Sequence, residues 1–492
     1  MILSEVLPNP VPNNGVITIE DFYSAYQTFR KSPNNEQKEA IEKSPQKPLF
    51  IVAGPGTGKT TCLALRILKL ILVDGITPAS ILATTFTKKA AEELRSRILG
   101  WGFQLIEELL TGFHLSPQAY ARLNKLDINQ IKTGTIDSIC EQILRGFRDP
   151  GTQPPILVDE FVSKTLLLRE GLFKNQRYLD NDLDTFLCNL RGGSTYGWNI
   201  GKKNDVILEI WERRFHDQVD WDAFIVNTSS DEAVALSVLK DAIADYKQAL
   251  SESSMVDFAL LEQEVLTRLQ NGQLTEFTQQ IKVVLVDEYQ DTNLLQESIY
   301  FELAKACNGA LTVVGDDDQS LYRFRGATVE LFSDFSNRYQ KIFQHQPTLI
   351  FLKTNYRSTK TIINFVNDYV KLDSSYQAVR VKSKPQLLYS PIAETGSPIL
   401  GMFRDSRETL AKDLANFIHQ IFRGNGYILP NGTNIQSASE GGDIGDCALH
   451  NTIFLLNDTQ QLLLHYRQIR ALQLPQVLQH STGSFFQVFI FP

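Results

Sequence analysis

The sequence predicts an α/β fold, a parallel sheet covered by helices on both faces and interrupted by a helical insertion. Two observations carry this. Short apolar runs alternate with helical stretches from about residue 35 to 355, the pattern of parallel strands buried on both faces. The first of these runs leads directly into a glycine-rich loop that opens a helix, the arrangement that offers backbone N–H groups to an anion.

The strand candidates are Leu49–Ala53, Ile81–Thr85, Val283–Val286, Leu311–Val314 and Leu349–Leu352. Each is short, mostly β-branched or Leu, and followed by turn or polar residues. Ligands in such sheets sit at the carboxyl ends of the strands. Residues from about 151 to 240 break the rhythm. Phe161–Arg191 reads there as one helix, with Leu and Phe recurring at three- and four-residue steps. Beyond about residue 423 the chain becomes rich in Gly, Ser, Pro and Asp, a loop or linker composition.

Composition narrows the class. Apolar residues make up 43% and charged residues 21% of the 492, ordinary values for a chain that buries sizeable cores. No run approaches the ~18 apolar residues that span a bilayer, and residues 1–10 lack the basic and apolar regions of a signal peptide. The expectation is a cytoplasmic protein with no membrane partner. The five cysteines are scattered without a CxxC pair, which argues for buried, reduced thiols over a zinc site or disulfide scaffold. A net charge of −8 speaks about solubility and does not exclude a local basic groove.

Ala53-Gly54-Pro55-Gly56-Thr57-Gly58-Lys59-Thr60 follows the first strand as a relaxed P-loop. Its glycines let backbone N–H groups face phosphate oxygens. Lys59 is placed to reach the β- and γ-phosphates, and the Thr60 hydroxyl to ligate Mg²⁺. Val283-Val-Leu-Val-Asp-Glu-Tyr-Gln-Asp291 is an apolar strand ending in two carboxylates. Asp287 suits the metal, and Glu288 suits the orientation and deprotonation of an attacking water. Each element alone is weak; together they predict binding of ATP and Mg²⁺.

Three further segments, Asp287-Glu-Tyr-Gln-Asp291, Val314-Gly-Asp-Asp-Asp-Gln-Ser-Leu-Tyr-Arg-Phe-Arg-Gly-Ala327 and Asn355-Tyr-Arg-Ser358, resemble motifs II, III and IV of UvrD/Rep-type superfamily 1A helicases. Asn35-Glu-Gln37 resembles their Q motif and Thr85-Phe-Thr-Lys-Lys-Ala-Ala91 their motif Ia. The resemblance covers about residues 33–365. It implies a RecA-like P-loop NTPase sheet at 33–150 and 241–345, a helical insertion at 151–240, and an incomplete second RecA-like lobe at 346–450. Residues 1–32 remain as an N-terminal extension and 451–492 as an atypical tail. The stretch Tyr246–Leu261, with Asp257-Phe258, resembles the return into the first lobe.

Carried over residue by residue, the resemblance implies that Gln37 reads the adenine edge and Tyr356 stacks on the ring. Gln319 would touch the γ-phosphate and couple it to the DNA site, and Arg357 would stabilise charge on the transferred phosphoryl. Phe86, Tyr322 and Phe324 would stack against bases, with Arg325 beside them, as in a sequence-indifferent single-strand binder. Plainer readings stand beside these: core packing for Phe86 and Phe324, a structural ion pair for Arg357, a helix cap for Gln37. Lys88, Lys89, Arg95 and Arg97 read equally well as a solvated helix face or as phosphate contacts.

Departures from the family pattern are specific. Thr61, at the end of the nucleotide-binding loop, stands where an arginine that clamps the base is common. Thr135-Ile-Asp-Ser138 replaces the usual Thr-Phe-His-Ser of motif Ib, so Asp137 stands where a neutral or positive group would approach the strand. No Thr-x-His-x-x-Lys-Gly segment of motif V and no Arg-rich motif VI follows Arg357. The expectation is therefore the N-terminal half of such a helicase, truncated or frameshifted before motifs V and VI. It would be a 3′-to-5′ translocase on single-stranded DNA, with impaired hydrolysis or a partner chain supplying the rest of the second lobe. The alternative is a non-catalytic nucleotide- or DNA-binding fragment. The apolar ending Ser481–Pro492 is expected to pair with another segment or to be an aggregation hazard.

Overall fold

The computed structural model describes residues 16–147, 151, 154–193, 197–220, 230–319, 329–372, 374–395, 399–404 and 406–423, with short strands beyond them at Tyr427–Ile428, Asn434–Ile435 and Phe486–Ile490. Two compact units emerge: residues 1–357 with 373–388, and residues 358–372 with 389–492.

The first unit is built on six parallel strands, β1 Leu49–Ala53, β2 Ile81–Thr84, β3 Lys132–Gly134, β4 Val283–Val286, β5 Leu311–Gly315 and β6 Thr348–Leu352. Their order is β3-β2-β4-β5-β1-β6. All five residues of β1 are buried because alternate side chains serve two cores: Leu49, Ile51 and Ala53 one face, Phe50 and Val52 the other. The order sets β5 between β1 and β4, with Ile51 opposite Val314 and Val286 opposite Val313. The carboxyl ends of β1, β4 and β5 therefore lie side by side, and each carries one of the motifs. The strand β3 was not foreseen, since Lys-Thr-Gly has no apolar run to reveal it.

The helix Lys59–Leu72 that follows β1 is buried nearly all round. Its Arg66 is fully buried and donates from Nη1 to the carbonyls of Ala40 and Lys43, both at 2.9 Å, and from Nε to the Thr312 hydroxyl at 3.2 Å. Burial lowers this guanidinium to about 10. Arg66 thus ties the P-loop helix to the end of the helix Asn35–Glu42 and to β5. The helix Ile19–Gln27, closed by a capping box between Thr18 and Asp21, buries Phe22 and Tyr26 in the same core. Residues 17–26 of the segment read as an N-terminal extension therefore pack against the sheet's core.

Between β3 and β4 a separate core gathers Trp211, Tyr246, Leu183 and Leu187 from the helices Asn181–Leu190, Ile200–His216 and Ser230–Glu252. The single helix expected at Phe161–Arg191 is broken here. Glu160–Leu166 runs on through a π-helical turn to Phe173, and a new helix starts only at Asn181. Gln176 takes a left-handed φ of 53°, and Asp180 caps the new helix by accepting from the Leu183 amide. Asp257 caps the helix Phe258–Gln270, whose Leu261 and Val265 pack in a core under the sheet, and ties it to the insertion core by accepting from Trp211 Nε1 at 2.6 Å and from the Tyr246 hydroxyl at 2.9 Å.

The second unit holds the helix Lys360–Tyr369, the strand Leu400–Arg404 and the helix Arg407–Arg423. The tail strand Phe486–Ile490 pairs antiparallel with Leu400–Arg404, Met402 facing Val488. Cys62, Cys140, Cys188 and Cys307 are buried free thiols; Cys447 lies outside the described residues. Among the described residues no helix is long and apolar enough to cross a membrane.

Candidate nucleotide site

Gly56 and Gly58 hold the loop after β1 in left-handed conformations, φ 69° and 82°. A Cβ on Gly56 would come within 2.8 Å of Arg357 Cβ, and one on Gly58 within 2.8 Å of Gln37 Nε2. Only glycine fits both the backbone and the space. The loop is braced from two sides. Gln37 donates to the Thr57 carbonyl at 2.9 Å while its Oε1 and backbone N–H complete a capping box with Asn34. Asn355 donates to the Pro55 carbonyl at 2.6 Å, and the Tyr356 amide donates to the Gly56 carbonyl at 2.9 Å.

Gln37 is therefore both a helix cap and a brace of the P-loop. Tyr356 is half exposed (50%), its hydroxyl accepting from Asn34 Nδ2 at 2.8 Å. Arg357 has an exposed side chain, and its backbone amide donates to Asn355 Oδ1. Gly54, Pro55 and Thr57 line the same loop, Thr57 bonding back to the Gly54 carbonyl at 2.7 Å. Sequence reasoning missed Asn355 as a brace, although it begins the Asn-Tyr-Arg-Ser motif.

The charged centre faces the start of the P-loop helix. Lys59 Nζ lies 2.9 Å from Glu288 Oε2 and 3.5 Å from Gln319 Oε1. Burial works to lower the Lys59 ammonium, but Glu288, Asp316 and Asp287 outweigh it and hold it above its ordinary value. Asp287 is buried, and its Oδ1 accepts from the Glu288 amide at 3.0 Å. Burial first, then the Glu288 charge, pushes Asp287 up to about 7. Burial would raise Glu288 as well, but Lys59 and the Gln290 amide keep it below the usual range.

Glu288 adopts φ 52°, a conformation costing a non-glycine residue of order 1 kcal/mol. Gln290, unassigned from sequence though it sits inside the motif, links two strands. It donates to Glu288 Oε2 at 2.8 Å and accepts the Asp316 amide at 3.0 Å.

These residues fit a magnesium-bound nucleotide. The loop is one that a Cβ would fill, the buried carboxylate Asp287 follows β4 and acts on the Lys59 charge, and Thr60, next to Lys59, is half-buried. A hydroxyl and a carboxylate are the hard oxygen donors that Mg²⁺ takes.

Around Thr61 the structure supplies a cation from elsewhere. Arg97 donates from Nη1 to the Thr61 hydroxyl at 3.1 Å and from Nη2 to Glu93 at 2.7 Å, and its guanidinium lies over the Trp101 ring at 5.4 Å. The cleft there, about 980 Å³, is lined by Tyr26, Phe29, Arg30, Thr61, Arg97 and Trp101. Arg95 instead binds the Ile131 and Asn129 carbonyls, fixing the approach to β3. Lys88 and Lys89 are exposed at the start of the helix Lys88–Gly112, which also carries Arg95 and Arg97, and Phe86 is half buried. Tyr322, Phe324 and Arg325 lie outside the described residues.

Asp137, the motif Ib departure, is hydrogen-bonded to the fully buried Glu262, which also accepts from Gln296 Nε2 at 2.7 Å. Burial, then the Asp137 charge, raises Glu262 well above the carboxylate range. A raised folded-state pKa means that this carboxyl's contribution to stability is complete below about pH 4.3 and is lost as pH rises through the folded value. Glu262→Gln keeps the shape without the titration. Its melting temperature is expected to gain on the native chain as pH goes from 5 to 9; parallel melting curves across that range would contradict the assignment.

Comparison with known proteins identifies the family. Residues 33–340 match the family model described as the UvrD/REP helicase N-terminal domain. The chain is 30% identical over 403 residues to the ATP-dependent DNA helicase UvrD1 of Mycobacterium leprae, covering 80% of this chain and 45% of that protein. It is 30% identical over 341 residues to a probable DNA helicase II homolog of Mycoplasma capricolum, covering 68% and 41%. It is 28% identical over 396 residues to the ATP-dependent DNA helicase PcrA of Staphylococcus epidermidis, covering 78% and 45%. The chain thus spans less than half the length of these curated relatives. With the P-loop, the Asp287-Glu288 strand end and the Gln319 segment converging at the carboxyl ends of adjacent strands, the chain belongs to the UvrD/REP helicase N-terminal domain family.

Proposed function

We propose that this chain binds ATP with Mg²⁺ and hydrolyses it in the service of movement along single-stranded DNA, as the first lobe of a 3′-to-5′ helicase. The observation that carries the reading is the convergence on Lys59 of Glu288 at 2.9 Å and Gln319 at 3.5 Å. Three motifs distant in sequence there meet at the carboxyl ends of adjacent parallel strands.

Thr60 and Asp287 would hold Mg²⁺, which when bound neutralises charge on the β- and γ-phosphate oxygens. Lys59 contributes a fixed cation at the phosphates. Glu288, kept ionised by Lys59 and held by Gln290, orients the attacking water and takes its proton. The water oxygen bonds to the γ-phosphorus, the bond to the β–γ bridging oxygen breaks, and ADP and phosphate are released. Gln37, Tyr356 and Thr61 with Arg97 border the base side, and Arg357 is assigned to charge developing on the transferred group. Phe86, Tyr322, Phe324 and Arg325 are assigned to the DNA strand.

In the same reading, residues 33–150 and 241–345 form the RecA-like lobe, 151–240 its insertion and 346–450 the opening of a second lobe. Residues 1–492 include neither motif V nor the motif VI arginine. An absent transition-state arginine costs ~10³-fold or more in phosphoryl transfer, so this polypeptide alone is expected to hydrolyse ATP slowly. Further chain or a partner polypeptide would supply the missing wall.

Phosphate release from Mg·ATP, with Lys59→Ala as the blank, tests the reading. A slow rate above the blank supports it. A rate indistinguishable from the blank would favour a non-catalytic nucleotide- and DNA-binding role.

A further inference from the structure

Residues 373–388 belong to the first compact unit, although the stretches on either side of them, 358–372 and 389 onward, belong to the second. This segment brings two cations to Asp316-Asp317-Asp318, the acidic run that follows β5. Lys384 Nζ meets Asp316 Oδ1 at 2.6 Å and Asp318 Oδ2 at 2.8 Å and also ion-pairs with Asp317. Arg380 forks onto Asp318 with two bonds of 2.8 Å, and the Val381 amide donates to Asp317 Oδ2 at 2.8 Å.

The centre of this cluster is buried. Lys384 is 6% exposed, and the Asp316 and Asp317 side chains are not exposed at all. Oxygens of the three carboxylates lie within 4.8 Å of one another, so without a cation among them their mutual repulsion would be severe. Lys384 is that cation, which makes the run a closed ion cluster and not a metal site. The three carboxylates outweigh burial and hold its ammonium above the ordinary range.

The cluster touches the nucleotide site through one residue. Asp316 uses Oδ1 for Lys384 and Oδ2 to accept from Gln319 Nε2 at 2.6 Å. The other end of the Gln319 amide, Oε1, faces Lys59 Nζ at 3.5 Å. The Asp316 amide is fixed in turn by Gln290, which holds Glu288. A rotation of the Asp316 carboxylate therefore turns Gln319 away from Lys59.

We infer that Lys384 and Arg380 are positioning residues for Gln319, holding it toward the P-loop lysine by neutralising the Asp316–Asp318 cluster. This rests on the ATP-hydrolysis reading above. The residue pair lies beyond every motif that the sequence displays, and beyond the 33–340 span that matches the family model.

Lys384→Met, Arg380→Gln and Lys384→Arg, in the full 492-residue chain, test it. For Lys384→Met the turnover number is expected to fall between about tenfold and a hundredfold, the cost of misplacing a positioned group, with KM for ATP little changed. Lys384→Arg recovers most of the loss, because a cation is returned to the carboxylates. A proportional rise in KM with no recovery in Lys384→Arg would overturn the inference in favour of a merely structural role, as would unchanged turnover.

If the native chain does not exceed Lys59→Ala, the hydrolysis reading fails, and the inference is judged by hydrogen exchange with Mg·ATPγS. Nucleotide-induced protection of the peptide spanning Asp316–Gln319, present in the native chain and lost in Lys384→Met, supports the positioning role. Equal protection in both contradicts it. Melting curves identify any variant that fails to fold, in which case Arg380→Gln, at the edge of the cluster, decides by the same readouts.

Discussion

Glu288→Gln is expected to bind Mg·ATP about as tightly as the native chain and to turn it over ~10²–10⁴-fold more slowly. The argument begins with what the substitution preserves. A glutamine oxygen can still accept from the Gln290 amide, the contact that holds Glu288 Oε2 at 2.8 Å. The left-handed backbone at φ 52° is set by the neighbouring structure and is unchanged. What disappears is a carboxylate kept ionised by the Lys59 ammonium against the pull of burial. With no ionised group to take the proton of the attacking water, the chemical step slows while ground-state contacts persist, so turnover falls and KM does not. Single-turnover measurements with excess protein give the comparison even where the native rate is low. Equal rates would show that Glu288 is not the base and return the site to the non-catalytic reading.

Lys59→Ala is expected to lose both nucleotide affinity and hydrolysis, with phosphate release at the uncatalysed level. The Lys59 side chain is 10% exposed and is the cation directly facing Glu288. Removing it leaves Glu288, Asp287 and Asp316, the carboxylates that raise its own pKa, turned toward the place where phosphate must enter. Attraction for an anion then becomes repulsion in a buried setting, where screening by salt is weak. Fluorescent ATP-analogue titration in Mg²⁺ checks this independently of turnover. Native-like affinity in the variant would show that the nucleotide is held elsewhere.

Much of the first unit was legible in the chain because a doubly covered parallel sheet writes itself as short apolar runs. All five strands expected from such runs are strands of the sheet. The sixth, Lys132–Gly134, escaped because an edge position needs no apolar side chains. The break in the Phe161–Arg191 helix was hidden for a different reason. Leu and Phe keep their helical spacing, whereas the interruption depends on one left-handed residue, Gln176, and on Asp180 acting as a cap.

The site follows the same logic. Residues in contiguous motifs, such as Lys59, Asp287, Glu288 and Gln319, could be picked out together, since local sequence sets the loops that carry them. Residues contributed from afar could not. Lys384, beyond the last motif, looks like any solvated charge, and Arg97, one of four cations read as a solvated face or as phosphate contacts, gave no sign of its place at Thr61; tertiary packing sets both. Gln37 shows a third case: it caps at Asn34, the plainer of its two readings, and also braces the Thr57 carbonyl, a contact neither reading named.

In the proposed reading, an ATP site at the carboxyl end of the sheet, built on Lys59, Glu288 and Gln319, serves a single-stranded nucleic-acid motor. The most direct test is steady-state phosphate release by the 492-residue chain in Mg·ATP, with and without saturating single-stranded oligodeoxythymidylate, against Lys59→Ala. The expected result is a slow rate that rises on adding the single strand, rises less with blunt duplex, and vanishes in Lys59→Ala. A rate above that of Lys59→Ala but indifferent to the single strand would contradict the coupling of this site to DNA.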